Sequence, residues 1–441
     1  MPISPSEILA AWHQGFVPIS APGRVLIIGA GMAGLSAAHF LQQSGHHDFL
    51  LLEARADWGG RIQTWSEGQA EAGAEEVHGE NTAWFALLKQ KGILLEPYED
   101  KVENYYAWPN GLKTETQLSR RPDFRQSLDY WEALRTSPAQ PPLSWAQWLK
   151  KQGYGSEVAA FFTTKIENAY GASLSQLNVP DVLRMGRAWS AGEENFLLEN
   201  RTFASLLEQF FSSLRPRIHC QAIVQKIDYQ QAKIFVHTQD GQILEADKVL
   251  VTVPVSQLQN DRIAFEPALP PSKKQALSHI HLAPVLKLIL VFEQAFWPEE
   301  MGSLYLDDAI GEYYTSGLGP WPTLTGYVAG SRAAQLSAEG EAKGLEMALQ
   351  ALDRVWGDKK ASRFYKTHYW ADWSKVPHIE GGYSYPGLQS ESHRKALREP
   401  LDARVFFAGE ATHTRGHAGT VHGALETAFW AVAEMLGVVQ P

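Results

Sequence analysis

One cysteine, Cys220, stands in 441 residues, which excludes an internal disulfide and suits a reducing compartment. No apolar run approaches the roughly 18 residues of a membrane helix, and the opening MPISPSEILAAWHQGF has no basic stretch followed by an apolar one. Neither a membrane span nor a secretory signal is therefore expected, and a cytoplasmic protein is. A surplus of positive charge is missing too: 39 Lys and Arg against 49 Asp and Glu leave a formal charge of −10. That balance argues against a nucleic-acid partner and suits a cationic substrate. Internal repeats and low-complexity tracts are lacking, and no metal site is expected. The chain is long enough for two domains, and 44% hydrophobic residues supply a large core.

What is present is a strand, a glycine turn and a helix near the start. RVLIIGAGMAGLSAAHFL opens on the apolar run Val25 to Ile28 and passes through Gly29, Gly31 and Gly34 into a small-residue helix with Ala37, Ala38 and Leu41. In this dinucleotide-binding pattern Gly29 makes the turn, Gly31 lets the backbone approach a pyrophosphate, and Gly34 lets helix and strand pack closely. The helix N-terminus then offers unpaired N–H groups to phosphate. About 20 residues on, FLLLE ends in Glu53, placed to accept from a ribose hydroxyl. The next segment, EARADWGGRIQTW, adds Gly59, Gly60 and Arg61: a second close backbone approach, with a guanidinium to neutralise phosphate charge.

A matching pattern stands near the other end. RVFFAGEATHTRGHAGTVHGALETAFWAVAEML reads as a strand from Arg404 to Phe407, then Gly409 and Glu410, then a helix from about Gly423. This second strand-to-helix junction brings another helix N-terminus to the same cofactor. Glu410 is the candidate for holding the sugar-alcohol chain of a flavin, and the backbone near Thr420 and Val421 for meeting its ring.

The GxGxxG, GGR and FAGEATH…GTVHGA motifs together resemble the FAD-dependent amine oxidase family, and within it the polyamine oxidases. Two central motifs carry the resemblance over nearly the whole chain. It implies an α/β fold with an α+β substrate part. A Rossmann-type FAD-binding domain would comprise 20–81, 201–264 and 387–441. A discontinuous substrate-binding domain would have a helical part at 82–200 and a mixed sheet at 265–386. Backbone around Val224 is then expected on the adenine side. FAD is expected to be non-covalent, since Cys220 lies outside the C-terminal motif. One departure stands in GALETAF, where family members commonly have serine-glycine and this chain has Glu426 and Thr427, which puts the packing of that helix in question.

Local patterns fill in the rest. The helices in NTAWFALLKQKG and SWAQWLKKQG are read as capped by Asn81 and Ser144, with a polar, proline-bearing stretch around Ser137 to Leu143 before the second. RTFASLLEQFFSSL reads as a helix, and HCQAIVQKIDY, KIFVHT and DKVLVTVP as strands. VLKLILVF, LTGYVA and RFYKTHYW are further strands, with a helix from about Glu341 to Trp356.

Three constellations carry the chemistry. Lys287 interrupts VLKLILVF, sharing a face with Val285 and Ile289. A lysine there is either an edge-strand charge that blocks aggregation or a residue with a task, and the resemblance implies the family's lysine that holds a water against the hydride-accepting nitrogen of the flavin. In EAGAEEVHGENTAWF, VHG resembles the segment that places a histidine over the flavin in animal spermine and acetylpolyamine oxidases, so His78 is the candidate for binding or deprotonating an amine. Glu75 and Glu76 replace the asparagine or threonine and tryptophan common in the family, and with Glu80 they are candidates for substrate ammonium groups. In WADWSKVPHIEGGYSYPG, Tyr383 falls at one wall of an aromatic sandwich. The opposite wall aligns with Thr420, so the sandwich is expected to be incomplete. Trp373, Tyr313 and Tyr314 are either pocket lining or packing.

The implied function is an FAD-dependent polyamine oxidase acting on spermine or spermidine with oxygen and releasing hydrogen peroxide. The alternatives are an amino-acid or monoamine oxidase, a desaturase or porphyrinogen oxidase, and a non-catalytic flavoprotein module. An amino-acid substrate needs a pocket arginine, for which Arg125, Arg184, Arg187 and Arg332 are candidates.

Overall fold

Short apolar runs from both ends of the chain meet in one parallel sheet in the computed structural model, which describes residues 4–65, 70–97, 103–129, 143–316, 318–385, 387 and 390–438. The sheet has five strands in the order Ile218–His219, Phe49–Leu52, Val25–Ile28, Lys248–Val251 and Val405–Phe407. Side chains alternate between its faces. Val25, Ile27, Phe49, Leu51, Leu250 and Phe406 pack with the helices Met32–Gln43 and Val421–Met435. Leu26, Ile28, Leu52, Val249, Val251 and Phe407 pack on the other side, where a four-stranded sheet carries Val224–Asp228 and Ile234–Thr238. This is the doubly covered α/β unit that the glycine fingerprint implies.

A seven-stranded mixed sheet forms the second layer system. Its order is Tyr365–Asp372, Val285–Phe292, Thr323–Ala329, Glu312–Ser316, Met301–Tyr305, Glu103–Trp108 and Gly111–Thr114. The strand bearing Lys287 therefore lies inside the sheet, bonded on both sides. An edge-strand role for this lysine is ruled out. The alternation is as expected: Leu286, Leu288, Leu290 and Phe292 face one core, leaving Lys287 on the face of Val285 and Ile289. The region read as helical, 82–200, also supplies strands, because Glu103–Trp108 extends the mixed sheet and Asn195–Leu198 pairs with Val77–His78. Alternation in ENYYAW is masked by its run of aromatics.

Cap positions shift where two candidates compete. Thr82, not Asn81, caps the helix Ala83–Gln90, its hydroxyl accepting from the Phe85 N–H. Ser144 does cap Trp145–Gln152, in a reciprocal box with Gln147. The stretch from Ser137 lies outside the described residues except for Leu143. The C-terminal helix begins at Val421, two residues before Gly423, because the Thr420 hydroxyl accepts from the Gly423 N–H and serves as its cap. Among the described residues no helix is long and apolar enough to cross a membrane.

The fingerprint glycines differ in what they tolerate. Gly29 has φ of 106°, a conformation open to glycine. A Cβ on Gly34 would stand 2.0 Å from the Gly29 carbonyl oxygen, so this glycine sets the contact between helix and strand. Gly34→Ala is expected to cost about 1–3 kcal/mol through overpacking and to weaken FAD retention; urea unfolding read by tryptophan fluorescence, with bound flavin measured beside it, checks both.

Candidate active site

Both strand-to-helix junctions open into one continuous cavity of about 1460 Å³, larger than the roughly 300–1,000 Å³ of a pocket for one small ligand. Gly29, Gly31, Glu53, Arg61, Val224, Gly409, Glu410, Thr420 and Val421 all line it. Gly34 lies behind them, as its packing role requires. The helix Met32–Gln43 starts at Gly31 with no side-chain cap, leaving its first N–H groups for an anion. Glu53 is oriented by the N–H groups of Ala30 at 2.8 Å and Arg55 at 2.9 Å, one on each oxygen. Since a carboxylate offers about four acceptor sites, it keeps capacity for a ribose hydroxyl.

Glu410 is buried and accepts from Arg61 at 2.9 Å, the Ser384 hydroxyl at 2.5 Å and the Gly419 N–H at 2.9 Å. Burial pushes its carboxyl up, but the guanidinium groups of Arg61 and Arg394 and the Ser384 bond outweigh that and hold it below the usual range. Arg61 also donates to the Gly382 carbonyl. The glutamate thus ties the GGR loop, the GYS segment and the C-terminal loop around one end of the cavity. A dinucleotide fits this cradle: uncapped helix N–H groups, glycine backbone on two sides and a ribose-facing acid.

At the next stretch of the cavity Lys287 is only 5% exposed. Its ammonium donates to Glu75 Oε2 at 2.7 Å and to the carbonyls of Gly73 at 2.9 Å and Glu71 at 3.2 Å. Tyr314 donates to the same Glu75 oxygen at 2.6 Å. Glu75, a candidate for a substrate ammonium group, lines the cavity and is bonded to the lysine. A lysine has three donors, so a water held by Lys287 must replace one of these bonds, and the one to Glu71 is the longest. Trp373 donates to the Ala72 carbonyl at 2.8 Å and lines the cavity. Tyr313 is instead core, fully buried beneath the mixed sheet.

Beyond the lysine the cavity runs into the mixed sheet. His78 and Glu76 both line it; Glu80 does not, and turns to the Glu194 N–H. The Asn195 Oδ1 can only accept, so at 2.9 Å from His78 Nδ1 it fixes the ring proton there and leaves Nε2 as the basic nitrogen. Tyr383 lines the cavity, its hydroxyl 3.0 Å from that of Tyr327 and bonded to the Asn168 carbonyl. Thr420 faces the cavity too, but its hydroxyl donates to the His417 carbonyl at 2.8 Å besides capping its helix.

Glu312 was not found from sequence. It lines the cavity, accepting from the Asn168 amide at 2.9 Å. Burial and the Glu76 charge push its carboxyl above the usual range, against hydrogen bonds from Asn168 and Tyr305 and the charge of Lys165. Of the four candidate arginines only Arg187 lines the cavity. Arg125 lies 3.9 Å from Asp129, Arg184 pairs with Asp181, and Arg332 lies 3.4 Å from Glu167.

A family model described as flavin containing amine oxidoreductase matches residues 32–436. The chain belongs to this family. Its cofactor is FAD, which the cradle above fits, and the chain is an enzyme of the FAD-dependent amine oxidase type. Lysine-specific histone demethylase 1 homolog 2 of Oryza sativa is 28% identical over 92% of this chain and 57% of its own length. Polyamine oxidase 7 of the same species is 26% identical over 91% of this chain and 92% of its own. The chain spans about half the length of the curated demethylases it matches. Among solved structures, a putrescine oxidase redesigned for cofactor binding superposes with a TM-score of 0.80 at 20% identity, covering 95% of this chain and 99% of that one. Cyclohexylamine oxidase from Brevibacterium oxydans superposes at 0.79 and 21%, covering 94% and 99%. These two show the fold.

Two substitutions separate the parts of the lysine site. Lys287→Met is expected to slow flavin reduction or reoxidation while FAD stays bound; rapid mixing in both half-reactions measures this, and unchanged rates in both refute the assignment. Glu75→Gln leaves the buried ammonium without its counter-charge and is expected to destabilise the fold by about 3–5 kcal/mol, whereas a glutamate that served only substrate would cost little; denaturant unfolding of the holoenzyme decides.

Proposed function

We propose that this enzyme oxidises a secondary amine within a polyamine such as spermine or spermidine. The observation that carries the reading is a pair of carboxylates, Glu76 and Glu312, in the arm of the cavity beyond Lys287, close enough for the charge of Glu76 to raise Glu312. Like charges held together in a partly dry arm are relieved by a cation. An ammonium group of the chain neighbouring the reacting amine supplies it. Lys165 also faces this arm, so the carboxylates must outweigh it.

The chemistry needs one neutral nitrogen and charged neighbours. Glu76 and Glu312 hold the neighbours protonated, and His78, with Nε2 free to accept, takes the proton that frees the lone pair of the reacting nitrogen. Tyr383 confines the chain from one side. Bound FAD supplies the hydride acceptor. Water then cleaves the imine to an aminoaldehyde and a shorter amine, and oxygen takes up the electrons as hydrogen peroxide. Arg187 is exposed at the wall of the cavity and the other candidate arginines are outside it, which weighs against an amino-acid carboxylate in the arm.

Anaerobic addition of spermine, spermidine, putrescine, N-acetylated polyamines, amino acids and a methylated-lysine peptide to the yellow protein tests the reading. Rapid bleaching by spermine or spermidine is expected. Bleaching by amino acids alone, or by the peptide alone as the demethylase relatives' names suggest, would replace polyamine with that substrate. In the active enzyme, Glu312→Gln is expected to raise KM for spermidine about tenfold or more, with kcat far less changed. The raised carboxyl of Glu312 gives the pH dependence its sign: it protonates at a higher pH than an ordinary glutamate, so KM should rise as pH falls through that range, and the Gln variant should lose the effect.

A further inference from the structure

Three buried side chains of the C-terminal segment meet outside the cavity: His413, His417 and Glu426. Their ligand atoms lie within 4.8 Å of one another, a spacing that a metal ion would accept. The hydrogen bonds assign another state. His413 Nδ1 accepts from the backbone N–H groups of Arg415 at 3.1 Å and His417 at 3.2 Å. Its lone pair is therefore on Nδ1, and the ring proton sits on Nε2, donated to Glu426 Oε2 at 2.7 Å. His417 Nε2 accepts from the Ser190 N–H at 3.3 Å, so its proton is on Nδ1, donated to the same Glu426 oxygen at 2.9 Å. The two nitrogens that would ligate a metal are the protonated ones. Both rings are neutral, and the cluster carries the single negative charge of Glu426.

Burial pushes His413 down to about 4 despite the bond to Glu426. Glu426 is held low by the two ring N–H bonds against its own burial. His422, also buried, stands beside His417 at 4.7 Å between ring centroids and is likewise pushed toward its neutral form by burial. Arg394, the cation near His413, spends its donors on Ser384 and on the carbonyls of Ala411 and Tyr385, and its charge acts on Glu410. Glu410 thus has two guanidinium groups beside it, whereas Glu426 accepts from two neutral rings.

This anion stands directly behind the cavity wall. The carbonyl of His417 accepts from Thr420, while Gly416, Ala418, Gly419 and Thr420 line the cavity. The helix Val421–Met435 starts there, its positive end directed at the cavity. Glu426 lies in its second turn, and helical side chains lean toward the N-terminus. We propose that Glu426, clamped by His413 and His417, is an electrostatic positioning residue for the flavin: it offsets the positive end of the C-terminal helix, holds the flavin midpoint potential low, and fixes the wall from Gly416 to Thr420. The proposal gives a role to the residue that stands where the family commonly has serine. It rests on FAD as the cofactor and is independent of which amine is oxidised.

The test is the flavin midpoint potential of the purified holoenzyme, titrated with a reference dye and no amine present, in Glu426→Gln, Glu426→Ser and Glu426→Asp. The two neutral variants are expected to keep FAD and shift the potential upward, and the Asp variant to stay near the parent. Unchanged potentials in Gln and Ser with FAD bound overturn the proposal. So does an Asp variant that shifts as far as they do, which would mark a purely structural clamp. Loss of FAD from all three overturns the electrostatic role as well, whereas FAD kept by Asp and lost from both neutral variants supports the need for the charge.

Discussion

The Lys287–Glu75 pair is the interaction that everything at the centre of the molecule adjusts to. Placing an ammonium in an interior strand of an apolar sheet costs several kcal/mol in lost hydration, and here it is offset by one carboxylate and two backbone carbonyls. Those acceptors all belong to residues 71–75. That segment is pinned in turn by its own backbone: Ala72 and Gly73 donate to the Gln63 carbonyl and Ala74 to that of Arg61. A Cβ on Gly73 would lie 2.0 Å from the Arg61 oxygen, so the approach tolerates no side chain. One buried charge thereby registers the mixed sheet, the GGR loop and the segment leading to His78. Lys273 is the contrast. It too is buried, but it donates to the carbonyls of Ala396, Leu397 and Glu399 and caps a helix end, away from the cavity.

The cavity is polarised along its length. Its cofactor end gathers two helix N-termini and Arg61, a field suited to pyrophosphate and to a flavin that gains negative charge on reduction. Its far arm gathers Glu76, Glu312 and Glu115, the last bonded to Tyr106 and Asn104, a field suited to ammonium groups. Lys287 stands where the two regimes meet, and its pairing with Glu75 keeps its charge from extending the positive end into the arm.

The cofactor half was legible because its signals are local. Gly29, Gly34 and Glu53 owe their roles to neighbours within about 25 residues, and the strand and helix around them carry plain periodicity. The alternation in VLKLILVF was equally readable, but whether its strand was an edge or an interior one was not, since that depends on Tyr365–Asp372 arriving on one side and Thr323–Ala329 on the other. The pairing of Glu75 with Lys287 was unreadable for the same reason: the two are 212 residues apart. Asn168, Asn195 and Glu312 gave no signal at all, because a single polar residue in an aromatic strand or a helix becomes a site only when the fold brings others to it. Glu426 did give one, as a departure from the family pattern, and its packing is resolved by His413 and His417. Its neighbour Thr427 answers likewise, its hydroxyl accepting from the Gly409 N–H at 2.9 Å.

Asn168 links the aromatic wall to the distal carboxylate. Its amide donates to Glu312, its carbonyl accepts from Tyr383, and its Oδ1 accepts from the Ala329 N–H. Tyr383 meets Tyr327 on the strand beside Glu312, and Glu312 and Tyr327 are register partners. The aromatic wall and the distal carboxylate are therefore members of one hydrogen-bonded network, in which moving either strands the other's hydrogen bonds. The span between the wall and the anion is thereby tied to the register of two paired strands. If the substrate is a polyamine, discrimination among amines would rest on whether a second charged nitrogen reaches Glu312 and Glu76, and an amine lacking one would leave their repulsion to be offset by Lys165.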